Sequence, residues 1–223
     1  MRIGWATALV AALAACSPAP SRPAVTSTSD VAAFPGIHVP LDTIANWVDA
    51  GIVDEMPGRH TVTQTYQTPI SSTPTTTIDL GSGVVFVSPT RKIRCVADDS
   101  IVEPLACNVR LKNPPPTPDG NAPMRWWPNW VHYFGDSARI GAYQGGCSAL
   151  MCAGDSDGPV LGYGQKVSWN TRSGAFSCRM DRVGVVCVNM SKGSAMLLNE
   201  DGISPYGCLK LDPDDTVGIV YKC

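Results

Sequence analysis

The sequence predicts a mainly β protein, an antiparallel sandwich or barrel-like domain pinned by disulfide hairpins, with a short helical unit ahead of it. Three observations carry this expectation. Short alternating or apolar runs bounded by turn residues recur through the second half of the chain. The 21 glycines and 19 prolines supply the turns such a fold needs. Nine cysteines are present, and setting aside the one near the N-terminus leaves an even set.

The first element is an export signal. Met1-Arg2 is followed by an apolar run from Ile3 to Ala15, and small residues crowd its end at Leu13-Ala14-Ala15-Cys16. The run is shorter than the roughly 20 apolar residues that span a bilayer. Leu-Ala-Ala-Cys has the form of a bacterial lipoprotein site, a small residue before the cut and a thiol after it. Residues 1–15 are therefore expected to be a lipoprotein signal peptide, with Cys16 lipidated and anchored to the cell membrane, facing outside the cytoplasm. The acyl chains (palmitate among them) would supply the lipid anchor. Residues 16–33, rich in Ser, Thr, Pro and Ala, read as a flexible tether.

Removing the first fifteen of 223 residues leaves 208, a length that suits one principal domain. Charged residues are 16% of the chain and the net charge is −2. No basic run of the kind that grips nucleic acid is present.

Residues 34–66 read as a small N-terminal unit. Ile44, Trp47 and Val48 fall at i, i+3 and i+4 within Val39–Gly51 and make one apolar helix face, with Gly51 as its stop. Thr61 to Tyr66 alternates as a strand. Residues 67–77 are polar and read as a linker, so the N-terminal unit is expected to be loosely joined to the rest.

Residues 78–223 read as the disulfide-rich β domain. Val84–Pro89, Lys92–Val96 and Leu105–Leu111 are three successive strands, ended by Pro114-Pro115-Pro116. Val167–Trp169, Ala175–Met180 and Val183–Asn189 repeat the plan of strand, turn, strand with a cysteine, turn, strand with a cysteine. Two versions of one three-stranded unit are expected.

The candidate disulfide cysteines are Cys95, Cys107, Cys147, Cys152, Cys178, Cys187, Cys208 and Cys223. Eight cysteines allow on the order of a hundred pairings. Local spacing favours Cys95–Cys107 and Cys178–Cys187, with Cys147–Cys152 and Cys208–Cys223 left by subtraction. No Cys-x-x-Cys occurs and only three histidines are present (His38, His60 and His132), so no metal or cofactor is expected. Asp155-Ser156-Asp157-Gly158 lacks the distal positions of a calcium loop and reads as a turn, as does Asp212-Pro213-Asp214-Asp215.

Val87-Ser88-Pro89 with Ile93-x-Cys95, Cys152-Ala153-Gly154-Asp155, Tyr163-Gly164-Gln165, Gly174-x-Phe176-x-Cys178 and Gly184-Val185-x-Cys187 together resemble a group of actinobacterial, mycobacterial-type secreted proteins and lipoproteins with paired disulfide hairpins. The resemblance covers roughly residues 84–190. This chain has Thr90-Arg91-Lys92 where that group has Ser-Gly-Asn. The resemblance implies an envelope location and brings no catalytic residues.

Three of the six tryptophans fall within Trp126–Trp130, beside His132, Tyr133 and Phe134. Exposed tryptophans stack on sugar rings or lipid, so Trp126, Trp127 and Trp130 are the candidate ligand contacts. The competing reading makes them a core plug under the Pro-rich loop. Neither Gly-x-Ser-x-Gly nor a converging acid–base set is evident, and His60 is expected to lie outside the main domain. The functional expectation is a non-enzymatic envelope lipoprotein that binds or scaffolds a cell-wall glycan or lipid. The alternatives are a protein–protein adaptor, working through the helix around Trp47 or an edge strand, and then a hydrolase.

Overall fold

The computed structural model describes residues 32–55, 59–65, 75–97, 104–118, 125–144 and 158–223. In chain order, helix α1 (Leu41–Asp49) is followed by strand β1 (Ile52–Val53) and the hairpin β2 (Thr61–Thr65) and β3 (Thr75–Asp79). Strands β4 (Val84–Val87), β5 (Ile93–Ala97), β6 (Ala106–Val109), β7 (Arg125–Tyr133) and β8 (Ser137–Gln144) form an antiparallel meander. Strands β9 (Gln165–Thr171), β10 (Gly174–Asp181), β11 (Gly184–Asn189), β12 (Ser194–Asn199) and β13 (Gly202–Gly207) form a second. The chain then returns through β14 (Lys210–Leu211) and β15 (Ile219–Lys222) to the outer edge of β8.

The result is a sandwich-like β domain of a seven-stranded and a six-stranded sheet, with orders β14-β15-β8-β7-β6-β5-β4 and β1-β9-β10-β11-β12-β13. The internal repeat expected of the cysteine hairpins is present and extends further, to five strands in each half. In the first sheet one rung runs Phe86, Cys95, Cys107, Val131 and Ile140. In the second it runs Val167, Cys178, Cys187 and Met196. All nine side chains belong to one buried core cluster. Each meander therefore places a cysteine on its second and third strands, on the face turned to the other sheet.

The disulfides follow from that register. Cys95 stands directly opposite Cys107 and Cys178 opposite Cys187, with Cα separations of 4.0 and 4.1 Å. Those distances fit the closely approaching, non-hydrogen-bonded pairs of an antiparallel ladder. Cys208–Cys223 is also formed and closes the C-terminal return. Cys147, Cys152, Cys16, the expected signal and most of the expected tether lie outside the described residues.

Two expectations about the N-terminal unit need correction. It is not loosely joined: Ile44, Ala45, Trp47 and Val48 pack on Val186, Val188, Ala195, Leu197 and Tyr206 of the six-stranded sheet. Burial of this amphipathic face outweighs the helix's weak start, since Pro40 offers no side-chain cap. It also explains why every residue of β11 is buried, one side facing the core and the other α1. Arg179 lies beneath the helix with its guanidinium 4.0 Å above the Trp47 ring. It donates to the Trp47 carbonyl near the helix C-terminus, where a cation is favoured, and burial lowers its pKa.

The second correction concerns residues 59–60, expected outside the main domain. Arg59 is buried, paired with Asp54, and donates to the carbonyls of Val85, Pro159 and Val160 at 3.3, 3.2 and 3.0 Å. Burial pulls its pKa down to about 10. The His60 ring bonds Gly83 O at 2.7 Å. The linker expected over 67–77 also ends early, because residues 75–77 belong to β3. Residues 66–74 lie outside the described residues.

These contacts cross the two halves. The segment before the second meander pairs in parallel with β4 through Val87 and Val160, while β1, ahead of the first meander, pairs in parallel with β9. Each half thus extends the sheet of the other.

Candidate functional site: the aromatic face of strand β7

The stretch singled out as a tryptophan cluster is strand β7, which runs through Pro128. A register shift between Trp127 and Val131 accommodates the missing amide donor. Beyond that shift, Val131 and Tyr133 face the core, so Trp130 and His132 take the outer face. Trp127 lies 5.1 Å from Trp130, Trp130 5.8 Å from His132, and His132 stacks with Phe134 at 6.3 Å. Arg125 caps this line, its guanidinium 4.4 Å above the Trp127 ring. The outer face of the seven-stranded sheet therefore carries an aromatic row, whereas that of the six-stranded sheet is taken by α1.

Trp126, also on β7, packs against the neighbouring strand β8. It lies opposite Tyr143, ring centroids 5.0 Å apart, and over Gly141. Gly141 has φ +84, and a Cβ there would come within 2.5 Å of the Trp126 ring, so glycine serves both backbone and packing. The Trp126 indole donates to Pro115 O at 3.4 Å and the Tyr143 hydroxyl to Pro118 O at 3.1 Å. The Pro-rich segment is thus tied to this end of the row.

A cavity of about 330 Å³ opens beside the row, lined by His132, Phe134, Arg139, Tyr143, Val217 and Lys222 among others. Its charges are paired. Arg139 meets Asp215 at 2.9 Å, and Lys222 meets Asp212 at 2.6 Å. The Lys222 hydrogen bond lowers the pKa of Asp212 and that of Asp212 raises the pKa of Lys222. The Asp212–Asp215 turn is therefore engaged by the protein's own cations.

Of the three candidate contacts, Trp126 and Trp127 are half-buried, whereas Trp130 is 1% exposed and cannot present its ring to solvent. Among the described residues the Trp130 Nε1 has no hydrogen-bond partner. Such a buried donor costs on the order of 1–3 kcal/mol, a cost that an acceptor reaching it would relieve. The six described cysteines are paired as spacing and subtraction suggested. The adaptor route through Trp47 also needs correction, since that ring is 7% exposed beneath Phe34 and against the sheet.

Arg139, Tyr143 and Lys222 were not among the candidates. A signal for the first two was available: Ala138 and Ile140 alternate with Arg139 in Ser137–Gln144, which marks a strand with one apolar and one polar face. Lys222 arrives only through the long return to β8. Among the described residues no group of three or more His, Cys, Asp or Glu side chains is placed to hold a metal ion, and no helix is long and apolar enough to cross a membrane. No protein-family model, curated protein or solved structure matches the chain.

Proposed function

We propose that this chain is a lipid-anchored cell-envelope protein, non-enzymatic, whose β domain binds a cell-wall glycan or lipid along strand β7. The observation that carries the reading is the half-buried pair Trp126 and Trp127, with Trp126 packed on Tyr143, which together with Phe134 lines a cavity. Large aromatic surfaces with a few placed polar groups are the usual lining of sites for sugars and acyl chains. The Leu13–Cys16 sequence and three disulfides suit an exported, anchored chain.

The test is tryptophan fluorescence of the full chain titrated with soluble muropeptides and, separately, with phospholipid vesicles. A saturable emission change with one of them is expected, weakened at least tenfold in Trp126→Ala/Trp127→Ala, a loss of about 1.4 kcal/mol or more. No saturable change with either probe sinks the reading. A second reading, an adaptor working through an edge strand, draws on β1, whose Ile52 and Val53 are 53% and 60% exposed. Capture of an envelope protein that depends on Ile52 and Val53 is its expected signature.

A further inference from the structure

At one end of the sandwich, tight turns from both meanders converge around a cleft of about 230 Å³. The turns are braced from within. Ser88 Oγ accepts from Ile93 N at 3.1 Å, and Asp181 accepts from Val183 N at 3.2 Å. Asn199 both accepts from Asp201 N at 2.9 Å and donates to Val183 O at 3.0 Å. Lys92–Glu200 and Lys112–Asp201, each at 2.8 Å, tie the turns of one meander to those of the other. The rim is therefore preformed, which lowers the ordering cost of binding.

Its chemistry is balanced. Lys92, Lys112 and Arg182 face Asp181, Glu200 and Asp201, three cations against three carboxylates. That parity offers no excess charge to a phosphate or to a metal ion. It does offer adjacent donors and acceptors, since an ammonium has three N–H groups and a carboxylate about four lone-pair sites, and each ion pair uses only one of them. Tyr163 stands in the same lining, 39% exposed, with the Arg182 guanidinium 5.5 Å from its ring centroid over one face, and Val183, 41% exposed, lines the cleft too. An aromatic ring next to interleaved donors and acceptors matches a ligand with an apolar C–H face and several neighbouring hydroxyls.

We propose that this end cleft binds a neutral sugar residue, at a site separate from the aromatic row of β7 and independent of its ligand. The Tyr163 ring face opposite Arg182 stacks on the sugar, and the Lys92–Glu200 and Lys112–Asp201 pairs hold vicinal hydroxyls, each pair supplying one donor and one acceptor.

The experiment is saturation-transfer NMR on the full chain with glucose, galactose, arabinose and N-acetylglucosamine, each alone and then with inorganic phosphate added. At least one sugar is expected to receive saturation. Its signal should fall at least tenfold in Tyr163→Ala, persist in Tyr163→Phe and in Trp126→Ala/Trp127→Ala, and resist phosphate. Three results overturn the proposal: no transfer to any sugar, transfer that survives Tyr163→Ala, or displacement by phosphate, which marks an anion site. Transfer lost only in the tryptophan variant assigns the sugar to β7, supporting the function proposed above while refuting the cleft.

Discussion

Arg91 is the only non-glycine residue with positive φ among the described residues, at 57°. It occupies the tight turn from Ser88 to Ile93, where its amide donates to Ser88 O at 2.8 Å. Left-handed backbone costs an L-residue with a Cβ about 1–2 kcal/mol, partly offset in glycine by the greater freedom of its unfolded chain. Arg91→Gly is expected to raise stability by up to about 1 kcal/mol, read as a shift of the urea midpoint at constant slope. A loss of stability would mean that the arginine side chain outweighs the backbone cost. Gly141 shows the complementary case, a glycine held by the Trp126 ring above it, and the alternation around it was readable while the ring was not.

The elements differ in how much of them was written locally. Helix α1 was legible from Ile44, Trp47 and Val48, and those three side chains are buried. The helix does not end through a left-handed glycine: Ala50 closes it in right-handed geometry, and Gly51 is needed because a Cβ would press on Lys166 and Arg179. Trp47→Ala is expected to cost about 3–5 kcal/mol, since it empties the space between Phe34, Arg179 and the sheet. Chemical denaturation checks this; a cost under about 1 kcal/mol would mean that the helix is an appendage after all. Strand β7 was not read as a strand; pairing with β6 and β8 carries the chain across Pro128, which has no amide donor for the ladder. Strands β12 and β13 were also missed, although Ser194–Asn199 alternates sides correctly between core and helix-facing clusters.

At the scale of the molecule, two five-stranded meanders share one core, with a buried disulfide in each. The cross-half pairings and the Arg59 clasp join them further. Loss of one disulfide should therefore be felt by both halves. Cys178→Ala/Cys187→Ala is expected to lower stability by about 2–4 kcal/mol while unfolding stays a single transition. Hydrogen exchange should show protection falling in β4–β8 as well as in β9–β13; loss confined to the second meander would indicate two independent folding units. The mainly β class, the repeat, the pairing of Cys95 with Cys107 and Cys178 with Cys187, and the helix were all legible in the sequence, because their units are written locally by period, turn and spacing. Only the tertiary structure decided that α1 roofs the second sheet and that β1 pairs with β9 more than a hundred residues away. It also decided that Trp130 is buried while Trp126 and Trp127 are left half-buried. Those outcomes depend on which sheet face finds a partner, and an alternating strand specifies that it has two faces without specifying what covers each.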